Sequence, residues 1–255
     1  MQLVDTHAHL CAPELAEDLD AVLGRASDAG VARVVAVGED MADARRNLEL
    51  AESHPDLVAP AAGLFPALLD EAAARKLEAF IRERRDRWVA IGEVGLDYWR
   101  VQDESGRELQ REIFGRFIDL ALDLDLPLNV HSRSAGHHAI AFLLERDARR
   151  VQMHAFDGKA SRAHAGTEAG FFFSVPPSVV RSPQKQKLAT RLPLSHILLE
   201  TDSPVLGPDP RERNEPANVV TALEVVADLK ALPVEAVAEA TTANARLLYG
   251  AGIAD

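Results

Sequence analysis

Residues 3–37 read LVDTHAHLCAPELAEDLDAVLGRASDAGVARVVAV. The stretch opens on a short apolar run, Leu3-Val4-Asp5, and closes on a longer one over 31–37. Between them, residues 14–29 place Leu15, Leu19, Val22, Leu23 and Ala26 on one stripe, the spacing of an amphipathic helix. Strand, helix, strand, with mostly apolar strands, reads as one unit of a parallel sheet covered on both faces.

The same alternation continues to the end of the chain. Candidate strands lie at 57–64 (LVAPAAGL), 88–91 (WVAI), 126–130 (LPLNV), 151–154 (VQMH), 170–175 (GFFFSV) and 197–201 (ILLET). Helical stretches at 42–53, 68–85, 108–124, 135–146, 161–169 and 184–192 separate them. Two more helices, 217–229 and 234–248, follow the last strand, with Pro233 at the first turn of the second. Eight strands in 255 residues predict an α/β fold, a (β/α)8 TIM-type barrel with an extra C-terminal helix. An open doubly wound sheet is the alternative, but no G-x-G-x-x-G follows the first strand. With no repeat and no long linker, residues 1–255 are read as a single domain.

Composition narrows the setting. Hydrophobic residues make up 47% of the chain, ample for one large core. No run of about 18 apolar residues exists, so no membrane span is expected. A single cysteine, Cys11, and an N-terminus without a basic-then-apolar leader fit a cytoplasmic protein. The net charge of −12 speaks against broad electrostatic binding of nucleic acid, but not against a site where bound cations supply the positive charge.

In such a barrel the chemistry sits at the C-terminal ends of the strands. Strand one runs into His7 and His9, two apart and so on one face. Taken alone, an H-x-H pair is more readily a strand end with one ring capping the strand and the other in solvent. The other strand ends decide between the readings. Strand four runs into Glu93 (GEVGLDY), strand five into His131 (NVHSR), strand six into His154 (MHAFDG) and strand eight into Asp202 (ETDSP). Four imidazoles and two carboxylates at equivalent topological positions suit divalent metal.

Six ligands would saturate one ion, whereas two ions sharing a carboxylate keep open positions. Glu93 is the natural bridge. One ion is assigned to His7, His9, Glu93 and Asp202, the other to Glu93, His131 and His154. Two such ions can bind the attacking and the leaving oxygen of a phosphoester displacement and acidify a water. Asp202 is also placed to take a proton from that water. Asp5, Asp97 and Glu200 are read as supports that orient the ligands.

These pieces resemble the TatD family of metal-dependent deoxyribonucleases. DTHAHL, GEVGLDY, LPLNVHSR, HAFDG, LLETDSP, RNEP and TTANA match in order across nearly the whole chain. The run GFFFSVPPSVVRSPQKQKL before LETDSPVLGPDPRERNEP is most similar to the third vertebrate TatD-domain branch and related archaeal proteins. The resemblance implies a (β/α)8 barrel, two divalent metals (Mg, Mn or Zn), and 3′-to-5′ exonuclease action on single-stranded DNA. It places the metal ligands on the same six residues. One departure stands out. The family usually has G-x-H-P after the third strand; here GLFP puts Phe65 at that histidine's place. Cys11 is read as a small buried residue, with metal ligation the lesser alternative.

Substrate contacts are sought among cations near the mouth. Arg133, two residues after His131, is the first candidate for a phosphate fork. Arg181, Lys185 and Lys187 after strand seven, and Arg211, Arg213 and Asn214 in the loop after strand eight, could line a strand-tracking groove. Tyr98 and Trp99 could stack on a base or pack under their loop. His137, His138 and His164 are read as surface residues. The expected partner is single-stranded DNA as substrate, and the expected state a monomer. The alternative is a hydrolase of another ester or amide, such as an aminoacyl-tRNA ester; related amidohydrolase barrels often carry a carboxylated lysine on strand four, where this chain has Glu93.

Overall fold

Eight parallel strands pair in chain order around one sheet, in a computed structural model that describes residues 2–253. The strands are β1 (Leu3–Ala8), β2 (Val31–Ala36), β3 (Val58–Ala62), β4 (Ala90–Gly95), β5 (Leu128–His131), β6 (Val151–Met153), β7 (Phe172–Val175) and β8 (Ile197–Leu199). Helices α1 (Pro13–Ala16), α2 (Leu19–Asp28), α3 (Met41–Ser53), α4 (Glu71–Glu83), α5 (Glu104–Leu124), α6 (Gly136–Glu145), α7 (His164–Glu168) and α8 (Pro183–Arg191) lie between them. Two helices, α9 (Val219–Lys230) and α10 (Val234–Tyr249), follow the last strand. This is a nearly closed TIM barrel. No helix among the described residues is long and apolar enough to cross a membrane.

The ring closes between β1 and the residues just after β8 through a short parallel bridge, Ala8 to Ser203. Asp202 N donates to His7 O and His9 N to Ser203 O, each at 2.8 Å. Below them the Asp5 carboxylate accepts from Thr201 N at 2.8 Å and from Thr201 Oγ1 at 2.6 Å. The expected support role of Asp5 thus takes the form of a seam: it ties the end of β8 to the strand that carries His7 and His9.

Helix starts follow side-chain caps. Asp40 accepts from Ala42 N and Asp43 N, and Asp70 from Ala72 N and Ala73 N. Asp103 accepts from Gly106 N at 2.7 Å, so the fifth helix begins at Glu104, a turn before the expected 108. The helix expected over 14–29 is broken between α1 and α2. Arg213 Nη1 donates to Glu14 O at 2.8 Å, the carbonyl a continuing helix would bond to residue 18. Its guanidinium also holds the Asp18 carboxylate, at 2.6 Å.

The barrel has two apolar clusters. The larger lies mostly between strands and helices. The smaller joins alternate strand residues, among them Val4, Val35, Ala59, Ala90, Phe172 and Leu198, to Ala245, Leu248, Tyr249 and Ile253. By the two-residue alternation of strands, these face the barrel interior toward the N-terminal ends of the strands. The extra C-terminal helix therefore plugs the end of the barrel opposite the expected site.

Candidate metal centre

At the C-terminal ends of the strands, the six expected ligands come together. His7 Nε2 lies 3.2 Å from His9 Nε2, and each is 3.4 Å from Asp202 Oδ1. Glu93 Oε2 stands 3.5 Å from His9 Nε2. On its other side, Glu93 Oε1 stands 2.5 Å from His131 Nδ1 and 3.5 Å from His154 Nε2. The two oxygens of Glu93 thus face two different donor sets. Groups able to hold an ion are His7-His9-Glu93, Glu93-His131-His154 and His7-His154-Asp202.

The donor set fits divalent metal on chemical grounds. Two imidazole nitrogens and a carboxylate oxygen that point at one another need a cation or protons between them. Without a cation, protons fill that role. Burial, the largest influence on His7, would lower its pKa, but the hydrogen bond with Asp202 and the charge of Glu93 push it up to about 10. Burial likewise opposes His131, which the Glu93 charge and Asp97 raise to about 9. Glu93 and Asp202 are held below the usual carboxylate range: burial works against this, and the surrounding histidines overcome it. Imidazole and carboxylate together suit Zn, Mn, Fe or Co, and the carboxylates also suit Mg.

The backbone at the site is unusual. Asp202, Ala155 and Ser134 take positive φ of 55°, 39° and 55°, each at the end of a ligand-bearing strand. Non-glycine residues in this region carry strain that the surrounding structure must hold. Gly95, after Glu93, has φ of 145°, and a Cβ there would lie 2.1 Å from His131 O. Glycine lets β4 and β5 approach closely enough for Glu93 and His131 to meet.

The candidate ligands are oriented from behind. Asp97 Oδ2 lies 3.1 Å from His131 Nε2, while its Oδ1 accepts from Trp99 N and Arg100 N. Glu200 Oε2 lies 3.2 Å from His154 Nδ1, and its Oε1 accepts from Ala155 N at 2.8 Å. Two more supports escaped the sequence reading. Asn129 Oδ1 is 2.8 Å from His7 Nδ1, and Gln152 reaches Glu200 at 3.4 Å. The signal was there: each lies two residues before a ligand, His131 or His154, and so on the ligand's face of its strand.

A cavity of about 860 Å³ opens over the ligands, lined by Glu93, His131 and His154 with Phe65, Arg133 and Lys185 among others. Arg133 lies over the exposed Trp99 ring, 3.7 Å from its centroid. Phe65, at the place of the family histidine, packs edge-on against His131 at 5.4 Å and lies under Arg100 at 5.1 Å. Lys185 is partly buried, and its Nζ donates to Ala155 O at 3.0 Å. Burial lowers its pKa.

The other expected substrate contacts are engaged by the protein itself. Arg181 donates to Gly207 O. Arg213 grips Asp18 and Glu14 O. Asn214 is buried, with Nδ2 donating to Thr201 O at 2.8 Å and Val205 O at 2.7 Å. Arg211 pairs with its neighbour Asp209. None of these four lines the cavity. The RNEP stretch shapes the loop after β8, because its polar atoms meet backbone carbonyls and α1–α2 groups that only the folded chain brings near. Tyr98 is buried with its hydroxyl on Arg111, whereas Trp99 alone of the pair is exposed.

Cys11 stands apart from the ligands, its thiol 3.1 Å from Asn47 Oδ1. Burial, helped by Asp43, pushes the thiol up to about 12. Its thiolate fraction at pH 8 is then roughly 10³-fold below that of a free thiol. Iodoacetamide at pH 8 is expected to label native protein far more slowly than denatured protein. Equal rates in the two states would show that the thiol is open.

A model of the family described as TatD related DNase matches residues 4–250. The human deoxyribonuclease TATDN3 is 45% identical over 261 residues, covering 97% of this chain and 94% of that protein. An uncharacterized metal-dependent hydrolase of Bacillus subtilis, YabD, is 36% identical and covers 97% of this chain and 98% of its own. Among solved structures, the Escherichia coli TatD homologue YjjV superposes with a TM-score of 0.89 at 28% identity, covering 97% of each chain.

Proposed function

The chain belongs to the family of TatD-related DNases, and on that premise we propose that it is a dinuclear metal-dependent phosphodiesterase that trims single-stranded DNA from the 3′ end. The observation that carries this reading is the placement of the two Glu93 oxygens, 3.5 Å from His9 on one side and 2.5 Å from His131 on the other. His7, His9, Asp202 and Glu93 would hold one ion, and Glu93, His131 and His154 the other. When bound, the ions supply positive charge for the phosphate oxygens and lower the pKa of water.

The remaining work falls to the chain's own residues. Asp202, kept ionised by the neighbouring histidines, accepts the proton of the attacking water. Arg133 and Lys185 line the cavity and offer N–H donors to the non-bridging oxygens of the phosphate. Trp99, exposed beside Arg133, presents a ring face to a base. Asp97 and Glu200 hold the His131 and His154 rings in place. In a chain of net charge −12, cations at the site are what bring a polyanion to it. We read the protein as a monomer.

The test is digestion of a single-stranded oligonucleotide labelled at its 5′ end, with Mg, Mn or EDTA. The expected result is a metal-dependent ladder shortening one nucleotide at a time, abolished by EDTA and restored by added metal. Protein shown to hold two ions that cleaves no DNA with any metal would overturn the reading and point to the ester and amide hydrolases instead.

A further inference from the structure

A continuous chain of buried hydrogen bonds runs behind the candidate ligands from His7 to His154, and one link in it is a residue of the C-terminal helix. His7 Nδ1 meets Asn129 Oδ1 at 2.8 Å, and Asn129 Nδ2 meets the Tyr249 hydroxyl at 3.1 Å. The Tyr249 hydroxyl donates to Gln152 Oε1. Gln152 Nε2 donates to Ser174 Oγ at 3.0 Å, and Ser174 Oγ donates to Glu200 Oε2 at 2.6 Å. Glu200 Oε2 then meets His154 Nδ1 at 3.2 Å.

The direction of every bond in this chain is determined. Thr6 O can only accept, and it faces both Asn129 Nδ2 at 2.9 Å and Gln152 Nε2 at 3.3 Å. Both amides are thereby oriented. Asn129 Oδ1 must accept from His7, so His7 carries a proton on Nδ1 and turns Nε2 toward the metal site. Gln152 Oε1 must receive the Tyr249 proton, so the Tyr249 oxygen is free to accept from Asn129. A neutral phenol is required there, and burial pushes the Tyr249 pKa up. At the far end the Glu200 carboxylate accepts from His154 Nδ1 and turns that ring's Nε2 inward as well.

We propose that Tyr249 is a positioning residue for the metal centre: the helix that plugs the far end of the barrel, together with the Thr6 carbonyl, holds Asn129 in the orientation that sets the tautomer and aim of His7, and it braces Glu200 behind His154 through Gln152 and Ser174. This rests on the metal centre proposed above. The sequence places Tyr249 more than two hundred residues from His7, yet its ring belongs to the interior cluster and its hydroxyl reaches the layer just beneath the ligands. Phenylalanine at 249 would keep the plug and delete only the link. Asn129 would then lose one of its two acceptors and Gln152 Oε1 its donor.

The test is Tyr249→Phe in the full chain, with two measurements besides activity. The first is the solvent-exchange rate of the His7 Nδ1–H proton by NMR, in metal-free and Zn-loaded protein. The second is Zn affinity by competition with a chelating dye. The expected result is faster exchange at His7 and about tenfold weaker Zn binding, the size of effect seen when outer partners of ligands are removed. Exchange and affinity equal to wild type in Tyr249→Phe would overturn the proposal. So would a wild-type His7 that carries no slowly exchanging Nδ1–H, a result that needs no variant to fold. Wild-type protein that binds no Zn, Mn or Mg would instead defeat the metal centre, while the exchange rates would still answer for Tyr249.

Discussion

Replacing Glu93 with alanine is expected to lower cleavage of a single-stranded oligonucleotide by about 10³-fold, a loss of about 4 kcal/mol of transition-state stabilisation. Glu93 is 2% exposed and touches both halves of the ligand cluster, so no other side chain can stand in for its two oxygens. The variant is expected to bind fewer ions per chain than wild type, as read by elemental analysis. Its barrel should still form, because Glu93 lies at the strand end facing the cavity and contributes no apolar packing to either core cluster. Circular dichroism and the thermal midpoint check this. A Glu93→Ala protein that cleaves at the wild-type rate would show that the two donor sets do not work through a shared carboxylate.

Phe156→Ala is expected to carry the largest cost in stability, about 3–5 kcal/mol. In a protein of this size that corresponds to a fall of roughly 10 °C in thermal midpoint. Phe156 is fully buried, its ring perpendicular to Phe173 at 5.2 Å. A Cβ at Gly136 or at Gly158 would come within 2.7 Å of that ring, so both glycines are shaped around it. The loop it anchors is the one that aims His154. Around Phe156, Ala155 N donates to Glu200, Gln184 Nε2 donates to Phe156 O and Gly158 O, and Asp157 accepts from Ser134 N. Loss of the ring is therefore expected to weaken metal binding as well as stability. Phe156→Leu, which keeps most of the volume, should cost less than about 1.5 kcal/mol. Equal midpoints for wild type and Phe156→Ala, by calorimetry in the presence of chelator, would contradict the anchoring role.

The HAFDG stretch shows how far the sequence could be read. His154 was legible because it ends a short apolar run, at the position where a barrel places its chemistry. Phe156, two residues on, gives no such sign: an aromatic after a strand end packs or faces solvent according to what lies across from it. The loop after β8 gives the opposite case. Arg213 and Asn214 look from sequence like groups for a polyanion, but Asp18 and the carbonyls of Glu14, Thr201 and Val205 take them first.

What the chain determines on its own is what short-range physics controls. The period of the apolar residues sets strand against helix, the alternation of the two sets a parallel barrel, and the strand ends gather His7, His9, Glu93, His131, His154 and Asp202 at one mouth. What the tertiary structure decides is partnership. His7 and Asn129 are separated by 122 residues, Asn129 and Tyr249 by 120. No local pattern connects them. Closing the ring brings the strands side by side, and docking α10 into its far end brings the Tyr249 hydroxyl beneath the ligands. Buried polar groups without water must then find each other. That requirement, which exists only once the barrel has excluded solvent, fixes which nitrogen of His7 and of His154 faces the site.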